Sequence, residues 1–233
     1  PTGPTPPAPP AAGPRLPAAG GPGATWAALD GAPAVVMLTF ENGGSYGLDS
    51  LDFSGLGRAI PAALTAELAR NPGIRTIDRA EAQRIVDRDG LSRGGRVDAA
   101  SAARVGKQVG AGYVVTGTFV DYYGRVRIDA RLIDTGKGTI LEVVSSGQRP
   151  RAELPQMISD IASQLMSGKR LPTPAAGSAA TARVSSDALV LFGRAVLAQD
   201  QGDKAAAADY YQRALKLAPD FAAAREGLRS VQS

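Results

Sequence analysis

Asp87 and Asp89 are a pair of carboxylates whose residue type and spacing could support acid–base chemistry, as in a carboxylate-based hydrolase of glycans. Such a pair works when its surroundings move the pKa of one carboxyl toward the working pH. The polar residues around both aspartates give no reason for a pKa shift. We therefore predict no catalytic residue, and the glycan hydrolase is the weakest of three functional hypotheses.

The 233-residue sequence contains neither cysteine nor histidine. This composition excludes Ser-His-Asp and Cys-His nucleophile systems, zinc sites made of thiolate or imidazole ligands, and disulfide bonds. Most common hydrolase mechanisms are excluded with them. We predict no metal site and no cofactor, and a protein that is not an enzyme.

A glycine-rich stretch, residues 43–47, follows the apolar residues 34–40, which predict a short buried strand. Glycines after a strand can surround a phosphate group. This stretch, however, lacks the Gly-x-x-x-x-Gly-Lys spacing and a compact junction with the next helix. We predict a polar loop that continues to residue 55, and no nucleotide site.

Exposed tyrosines and arginines are the remaining candidate functional residues. Tyr122 and Tyr123 lie at a predicted hairpin tip, where they suit contact with another chain, although scattered aromatic residues are common on protein surfaces. The polar side of the next strand consists of Arg125, Arg127, Asp129 and Arg131. It is either a solvated face or a surface that receives the arm of a neighbouring subunit. Tyr210 is available to a partner, because Tyr211 is predicted to be buried.

A β-sheet must position these side chains. Apolar residues at 126, 128, 130 and 132 alternate with the polar ones, as in a strand with one buried face. Glycines at 124, 136 and 138 suit hairpin turns. Residues 110–147 therefore predict three antiparallel strands with helices over one face. The fold class is α+β: an αβ sandwich with a mainly antiparallel sheet, a C-terminal helical segment and an extended Pro-rich N-terminal arm.

Helices around these strands are predicted from apolar spacing and from capping residues. Four apolar residues share one helical stripe: Leu56, Ile60, Leu64 and Leu68. Asp78 and Asp98 each precede a helix, where a carboxylate can accept hydrogen bonds from the free backbone N–H groups. A further helix begins near Leu154 and is expected to lie back across the sheet.

Composition divides the chain into four parts. Residues 1–25 are almost entirely Pro, Ala, Gly and Thr, which predicts an extended arm that is either a tether or a contact with a neighbouring subunit. Residues 26–170 are predicted to form the αβ domain. Residues 171–183 are predicted to be a linker, and residues 184–233 a segment of helices.

The C-terminal helices have the spacing of one tetratricopeptide repeat. Its residues are Gly202, Asp203, Ala207, Tyr211, Ala214, Leu217 and Pro219. Gly193 departs from the pattern, because it lies two residues further from Gly202 than the usual repeat glycine. A single repeat cannot bury its apolar face alone, so we expect it to dock on the αβ domain or on a partner.

Several short motifs follow one another at defined spacings. They are Ile77-Asp78-Arg79, Ile85-Val86, Val97-Asp98, Ala102-Ala103, Gly106, Gly110-Ala111, Tyr113-Val-Val-Thr-Gly117, Val126, Arg131-Leu-Ile-Asp-Thr135, Gly138 and Ile140. In this order they resemble the CsgG family and its TolB-amino-terminal-like relatives, and the resemblance extends over residues 34–168. Those relatives include curli secretion channels, HfaB-like holdfast anchors and LpoB-type activators of peptidoglycan synthases. The resemblance implies an exported, non-enzymatic protein of the cell envelope.

Two departures narrow what the resemblance implies. The membrane hairpins of the secretion channel would fall at residues 122–124 and 148–153, which are too short for membrane strands of ~9–11 residues each. We therefore predict no pore. Family members are often anchored through an N-terminal cysteine, and the sequence has none, so a lipid anchor is not predicted.

Charge and hydropathy argue against binding to nucleic acid and against a membrane-spanning helix. The net charge is +4, and no basic run with interleaved aromatic residues occurs, so we predict no binding to nucleic acid. No run approaches the ~20 apolar residues of a membrane-spanning helix, so we predict no transmembrane segment.

Our leading prediction is an exported envelope or extracellular protein that self-assembles into a filament or ring through its arm and its C-terminal helices. The partner would be the protein itself, in the periplasm, at the outer membrane or outside the cell. The alternative is a monomeric periplasmic adaptor or activator of an envelope enzyme, or a secretion accessory protein. A protease-sensitive arm favours the adaptor, whereas an arm protected only at high protein concentration favours assembly.

Overall fold

The computed structural model describes residues 31–47, 49–92, 97–168, 170–173 and 181–233. These residues form a seven-stranded mixed β-sheet and seven α-helices, which confirms the predicted α+β class. The predicted arm, residues 1–25, lies outside the described residues, as do residues 174–180 of the predicted linker.

The sheet combines an antiparallel meander with parallel strands. Its strands are β1 (Ala34–Met37), β2 (Glu41–Tyr46), β3 (Arg75–Ile77), β4 (Tyr113–Tyr122), β5 (Arg125–Asp134), β6 (Thr139–Ser145) and β7 (Arg149–Pro150). They lie in the order β3-β1-β4-β5-β6, with β2 beside β4 and β7 beside β5. The predicted meander is β4-β5-β6. Strands β1, β2 and β3 pair only in parallel among the described residues, so the sheet is more mixed than the sequence suggested.

Strand β2 corrects the prediction of a glycine-rich loop. It pairs with β4, and its register shifts between Asn42 and Ser45. Gly43 lies so close to β4 that a Cβ atom there would be 3.1 Å from Cγ2 of Val120. Glycine is rare in strands because it has no side chain to pack. Here it allows the two backbones to approach, and only the tertiary pairing reveals the strand.

The helices largely follow the predicted spacing. They are α1 (Ser50–Ala69), α2 (Arg79–Arg88), α3 (Ala99–Gln108), α4 (Leu154–Ser167), α5 (Ser186–Asp200), α6 (Lys204–Leu217) and α7 (Ala222–Gln232). The carboxylate of Asp78 accepts from the backbone N of Ala80 at 2.9 Å, and that of Asp98 accepts from Ser101 N at 2.8 Å. Both capping predictions are therefore confirmed. Helix α1 begins before the predicted stripe, and Pro61 lies in its interior.

Helices cover both faces of the sheet, not one. Met37, Phe119 and Leu132 belong to the cluster on what we call the inner face, beneath α1, α4 and α5. Val114 and Ile133 belong to the cluster on the outer face, beneath α2 and α3. Parallel strands require crossover connections, and here α1 joins the β1–β2 segment to β3 while α2 and α3 join β3 to β4. The prediction of one covered face missed these parallel strands.

The C-terminal helices dock on α1 through two glycines. A Cβ atom on Gly193 would lie 2.6 Å from the carbonyl oxygen of Gly55, so α5 and α1 touch backbone to backbone. Gly193, which departs from the repeat pattern, thus marks the helix crossing. Tyr211 is buried as predicted, beside Phe192. Helix α1 takes the place of a neighbouring repeat and covers the apolar side of α5.

Ion pairs surround this junction. Asp200 at the end of α5 accepts from Arg58 Nε at 2.9 Å and from Arg79 Nη2 at 2.7 Å. Arg194 donates to Asp52 at 2.6 Å. The helical segment and the αβ part therefore share one hydrophobic core and a polar rim, while the predicted domain limits stay a prediction.

Candidate functional site

Beyond α2 and α3, the sheet exposes its outer face. Arg125 and Arg127 are exposed and Arg131 is half-buried, whereas Val126, Ile128, Ala130 and Leu132 between and after them are buried. The predicted alternation along β5 is therefore confirmed. Arg125 and Arg127 lie on the exposed part of the outer face, and the half-buried Arg131 lies between them and Ile133, which packs beneath α2 and α3.

Cross-strand pairing adds apolar residues to this surface. Tyr122 lies opposite Arg125, Val143 lies opposite Arg131, and Ile140 lies opposite Ile133. Directly opposed residues of antiparallel strands point to the same side of a sheet. We call this exposed part of the outer face the open face. It comprises Tyr46, Tyr122, Tyr123, Arg125, Arg127, Arg131, Ile140 and Val143.

Three tyrosines form one cluster at the tip of the β4–β5 hairpin. The rings of Tyr46 and Tyr122 are 5.2 Å apart at 69°, those of Tyr46 and Tyr123 are 5.8 Å apart at 27°, and those of Tyr122 and Tyr123 are 5.4 Å apart at 85°. Their exposed fractions are 51%, 54% and 73% in sequence order. Tyr122 and Tyr123 are candidates predicted from the sequence, whereas Tyr46 is not. Its only sequence signal is an aromatic residue inside the glycine-rich stretch.

The hairpin turn holds Tyr123 in an unfavourable backbone conformation. Tyr123 has φ 50° and Gly124 has φ 84°, which is the pair of positive angles of a type I′ turn. Asn, Asp and Gly are preferred at these positions, and a residue with a bulky side chain pays about 1–2 kcal/mol in the left-handed region. Tyr123 therefore occupies a position where another residue would give a more stable turn.

An ion pair between the half-buried Arg151 and the buried Asp121 fixes the turn from the inner face. Asp121 is fully buried; its carboxylate accepts from Gly124 N at 3.0 Å and from Arg151 Nε at 2.8 Å. The backbone N of Arg151 donates to Gly124 O at 2.8 Å, and Tyr123 N donates to Tyr46 O at 3.2 Å. The cluster therefore projects from a turn that is anchored on two sides.

The three arginines differ in their partners. Arg125 donates to the backbone oxygen of Gln148 at 3.2 Å, and Arg127 forms an exposed ion pair with Asp129 at 3.0 Å. The side chain of Arg131 forms no hydrogen bond or ion pair with another residue in the part of the chain that the structure describes. A shallow cavity of 510 Å³ lies between Tyr122, Arg125 and Arg127 on one side and Ser145 and Gln148 on the other. The surface thus combines aromatic rings with unneutralised positive charge.

Tyr210 does not join the open face. It lies on α6 in the helical segment, half-buried, with the guanidinium of Arg213 5.4 Å from the centre of its ring. The structure therefore brings Tyr122, Tyr123, Arg125, Arg127 and Arg131 together and leaves Tyr210 apart. A role for any of these six residues in binding stays a prediction.

The candidate acid–base pair does not have the environment of a catalytic pair. Asp89 accepts from Arg88 at 2.7 Å and from Gln108 at 3.1 Å. The hydrogen bond from Arg88, followed by that from Gln108, lowers the pKa of Asp89 below its ordinary value. A carboxyl with a lowered pKa stays ionised at neutral pH and is a poor general acid. Asp87 accepts from Gln83 at 2.8 Å.

Other titratable groups within the described residues have structural surroundings. The pKa values of Tyr113 and Tyr211 are raised, first of all by burial in the core. Within the described ranges, no cluster of three acidic residues could hold a metal ion. A cavity of 480 Å³ lies near Thr39, Gln83 and Arg58, but Thr39 donates to Gln83 at 2.6 Å and Arg58 is paired with Asp200.

Residues 188–221 match the family model of the tetratricopeptide repeat. The repeat that the sequence analysis predicted from the spacing of small residues and Tyr211 is thereby confirmed. The search of curated proteins gives no match. Membership of the CsgG family stays a prediction.

Three solved structures are similar to parts of this chain. The C-terminal domain of LpoB from Escherichia coli is 17% identical, with a TM-score of 0.39, over 54% of this chain and 84% of that one. Lipoprotein GNA1162 from Neisseria meningitidis is 18% identical, with a TM-score of 0.39, over 58% and 98%. TolB from Acinetobacter baumannii is 16% identical, with a TM-score of 0.36, over 59% and 29%. At these identities the likeness concerns the fold alone.

Proposed function

We propose that this chain is a non-catalytic adaptor of the cell envelope that binds another protein through its open face. One observation supports this most directly. Six large apolar residues are exposed in the described part of the chain, and five of them lie on the open face: Tyr46, Tyr122, Tyr123, Ile140 and Val143. The three tyrosines are in ring contact, and Ile140 and Val143 lie further along the same face of the sheet. Exposed apolar residues that share one face are typical of interaction sites, whereas single ones are not.

The composition of the open face fits a protein partner. Tyrosine and arginine are enriched at the energetic centres of protein interfaces, where a ring fills a pocket and a guanidinium binds carboxylates. The tyrosine cluster is already packed against itself, so little side-chain entropy is lost on binding. The conformational cost at Tyr123 supports the same proposal, because strained residues are retained where function needs them.

Charge favours a different protein over a second copy of this face. Two open faces in contact would bring Arg125 and Arg131 of each copy near those of the other, and like charges at an interface are unfavourable. The self-assembly predicted from the sequence depends on an arm that lies outside the described residues, and it stays a prediction. The adaptor hypothesis therefore takes precedence.

The envelope location rests on the sequence resemblance to the CsgG and TolB-amino-terminal-like proteins. Of the helices in the described residues, none combines the length and apolar content needed to cross a lipid bilayer. The proposed adaptor would reach its partner from the periplasm, at the outer membrane or outside the cell.

Photo-crosslinking tests the proposal. A benzophenone amino acid replaces Tyr123 in the full chain, expressed in the native envelope, and the matched control carries it at Leu217, an exposed apolar residue on α6. We expect one heterologous adduct from Tyr123, and its loss on adding Tyr46→Ser and Tyr122→Ser. Adducts between copies of this chain would instead support self-assembly. The same adducts from both positions, or none from Tyr123, would contradict the proposal.

A further inference from the structure

We propose that the partner docks as an extended, acidic segment that adds to the sheet along the free edge of β6. This inference rests on the proposed function and names the binding mode and the chemistry of the partner. An added strand gains affinity from backbone hydrogen bonds and specificity from alternate side chains.

The edge of β6 is open on one side. Among the described residues, β6 pairs with β5 and with no other strand. Natural edge strands are usually protected by lysine or proline, by β-bulges or by inward-pointing charged residues. Strand β6, with the sequence Thr-Ile-Leu-Glu-Val-Val-Ser, has no basic residue and no proline. It has a bulge at Leu141, and its charged residue, Glu142, lies opposite Leu132 and so points to the inner face, where a Cβ on Gly168 would overlap its carboxylate. These two features limit pairing around Leu141, so the part of the edge that best suits an added strand is residues 142–145, which pair regularly with β5.

Apolar residues lie beside this edge on the open face. Ile140 is 47% exposed and Val143 is 60% exposed. These two residues share a face, although they are three residues apart, because of the bulge at Leu141. A strand added next to β6 would place every second side chain on the face of Val143, and it would follow Ile140 only with an irregularity of its own. Small or β-branched apolar residues at those positions of the partner would cover Ile140 and Val143 and remove their surfaces from water.

The charge that the segment must supply follows from Arg131. Its guanidinium has no ion-pair partner in the described ranges, and it lies on β5 directly opposite Val143. Neighbouring strands are about 4.8 Å apart, so an added strand would lie roughly 10 Å from β5. An arginine and a glutamate side chain together span that distance over the small Val143. We therefore expect an acidic residue in the segment near Val143.

A second copy of β6 is a poorer occupant of this edge. In a pair of β6 strands, Glu142 of each copy would point to the inner face, away from Arg131 of the other copy. The outer face of the pair would then contain two arginines and no carboxylate from β6 to neutralise them. The partner that fits the edge is therefore a segment of another protein.

Titration with synthetic strands tests this inference by NMR on the full chain. The probe is a peptide of about nine residues that alternates valine and threonine, with one central glutamate. We expect the peptide to change the amide chemical shifts of the protein mainly in β6. Replacing the glutamate with lysine should weaken binding about tenfold, and Arg131→Glu in the protein should reverse that preference. Methylation of alternate backbone nitrogens removes the N–H groups along one edge of the peptide. We expect this methylation to abolish binding when that edge is the one that donates hydrogen bonds to β6.

Each outcome supports or overturns the inference. No shift in β6 at millimolar peptide, or equal binding of both peptides to the wild type, would overturn it. Concentration-dependent dimerisation that shifts β6 amides without peptide would overturn it in favour of a second copy. If peptide binding fails while the Tyr123 cross-link persists, the proposed function stands and only the strand-addition mode is lost. If both fail, the open face is not a binding site.

Discussion

The outer face of the sheet has two halves built on the same strands. The covered half lies beneath α2 and α3, and the open half is the open face. Strand β4 contributes Val114 to the covered half and Tyr122 to the open half, and β5 contributes Ile133 and Arg127 in the same way. In the covered half the residues are β-branched or small, and they pack beneath α2 and α3. In the open half they are aromatic rings, arginines and the exposed Ile140 and Val143, which no described helix packs against.

The difference comes from chain connection and not from strand chemistry. The crossover from β3 to β4 must pass over the parallel strands, so α2 and α3 cover only that end of the sheet. The β4–β5 hairpin extends past them and is anchored through Asp121 and Arg151 instead. Because the open half is held without a covering helix, its exposed residues are not fixed by core packing and can serve binding.

The strongest test of this contrast uses two isoleucines that face each other across β5 and β6. Ile133 is 1% exposed in the covered half, and Ile140 is 47% exposed in the open half. We expect Ile133→Ala to lower the free energy of unfolding by about 2–5 kcal/mol, because it leaves a cavity in a packed cluster. Ile140→Ala should lower it by about 0.5 kcal/mol or less. Urea denaturation of both variants measures the difference.

Equal losses for the two substitutions would mean that Ile140 is covered in solution, and the division into two halves would then be wrong. The double variant provides an internal check. Because the two side chains are direct cross-strand neighbours, we expect a coupling energy of up to about 1 kcal/mol between them.

A smaller loss of stability is expected when Asp98 is changed. Asp98 is the capping residue of α3, one of the two helices over the covered half. Asp98 accepts from Ser101 N at the start of α3, and this backbone hydrogen bond is the first cause of its lowered pKa. We expect Asp98→Ala to cost about 1 kcal/mol at neutral pH, as for other capping residues. Asp98→Ser should restore most of the loss, because a hydroxyl oxygen also accepts from the helix.

The pH dependence of that difference follows from the direction of the pKa shift. The folded pKa of Asp98 lies below its unfolded value, so its stabilisation is complete above the unfolded pKa. It is lost as the pH falls through the folded pKa, because protonation removes the charged acceptor. The stability gap between wild type and Asp98→Ala should therefore shrink below about pH 4. A gap that is constant down to pH 2 would show that Asp98 is not the cap.

Local sequence rules predicted the parts of the fold that depend on neighbours in sequence. The alternation along β5 and the capping aspartates at 78 and 98 arise from strand period and from N–H groups within one turn, so both were found. The repeat around Tyr211 follows a fixed spacing of small residues and was found for the same reason. The parallel pairing of β2 was missed, since it depends on contact with β4 more than seventy residues away in sequence.

The same limit applies to the candidate site. Tyr122 and Tyr123 were identified because a hairpin turn is a local signal, whereas Tyr46 reaches them only through the pairing of β2 with β4. The exposed Val143 and Ile140 have no special pattern in sequence. They become part of the site through register with Arg131 and Ile133, which no local rule supplies.

Changing Tyr123 at the hairpin tip should affect binding and stability differently. Tyr123 is in the left-handed backbone region, where asparagine or glycine adopts the turn more easily. Tyr123→Asn removes that backbone cost but also removes ring contacts with Tyr46 and Tyr122. We expect the two effects nearly to cancel, with the free energy of unfolding unchanged or raised by up to about 1 kcal/mol.

Binding to the partner, in contrast, should become weaker. Tyr123→Asn should reduce capture of the cross-linked partner, measured with the benzophenone at Val143, whereas Tyr123→Phe should retain it because the ring is kept. A variant that is as stable as the wild type but no longer captures the partner cannot owe its loss to misfolding. If Tyr123→Asn instead lowers stability by more than about 1 kcal/mol, the ring supports the hairpin, and its exposure in the open half would reflect structure and not binding.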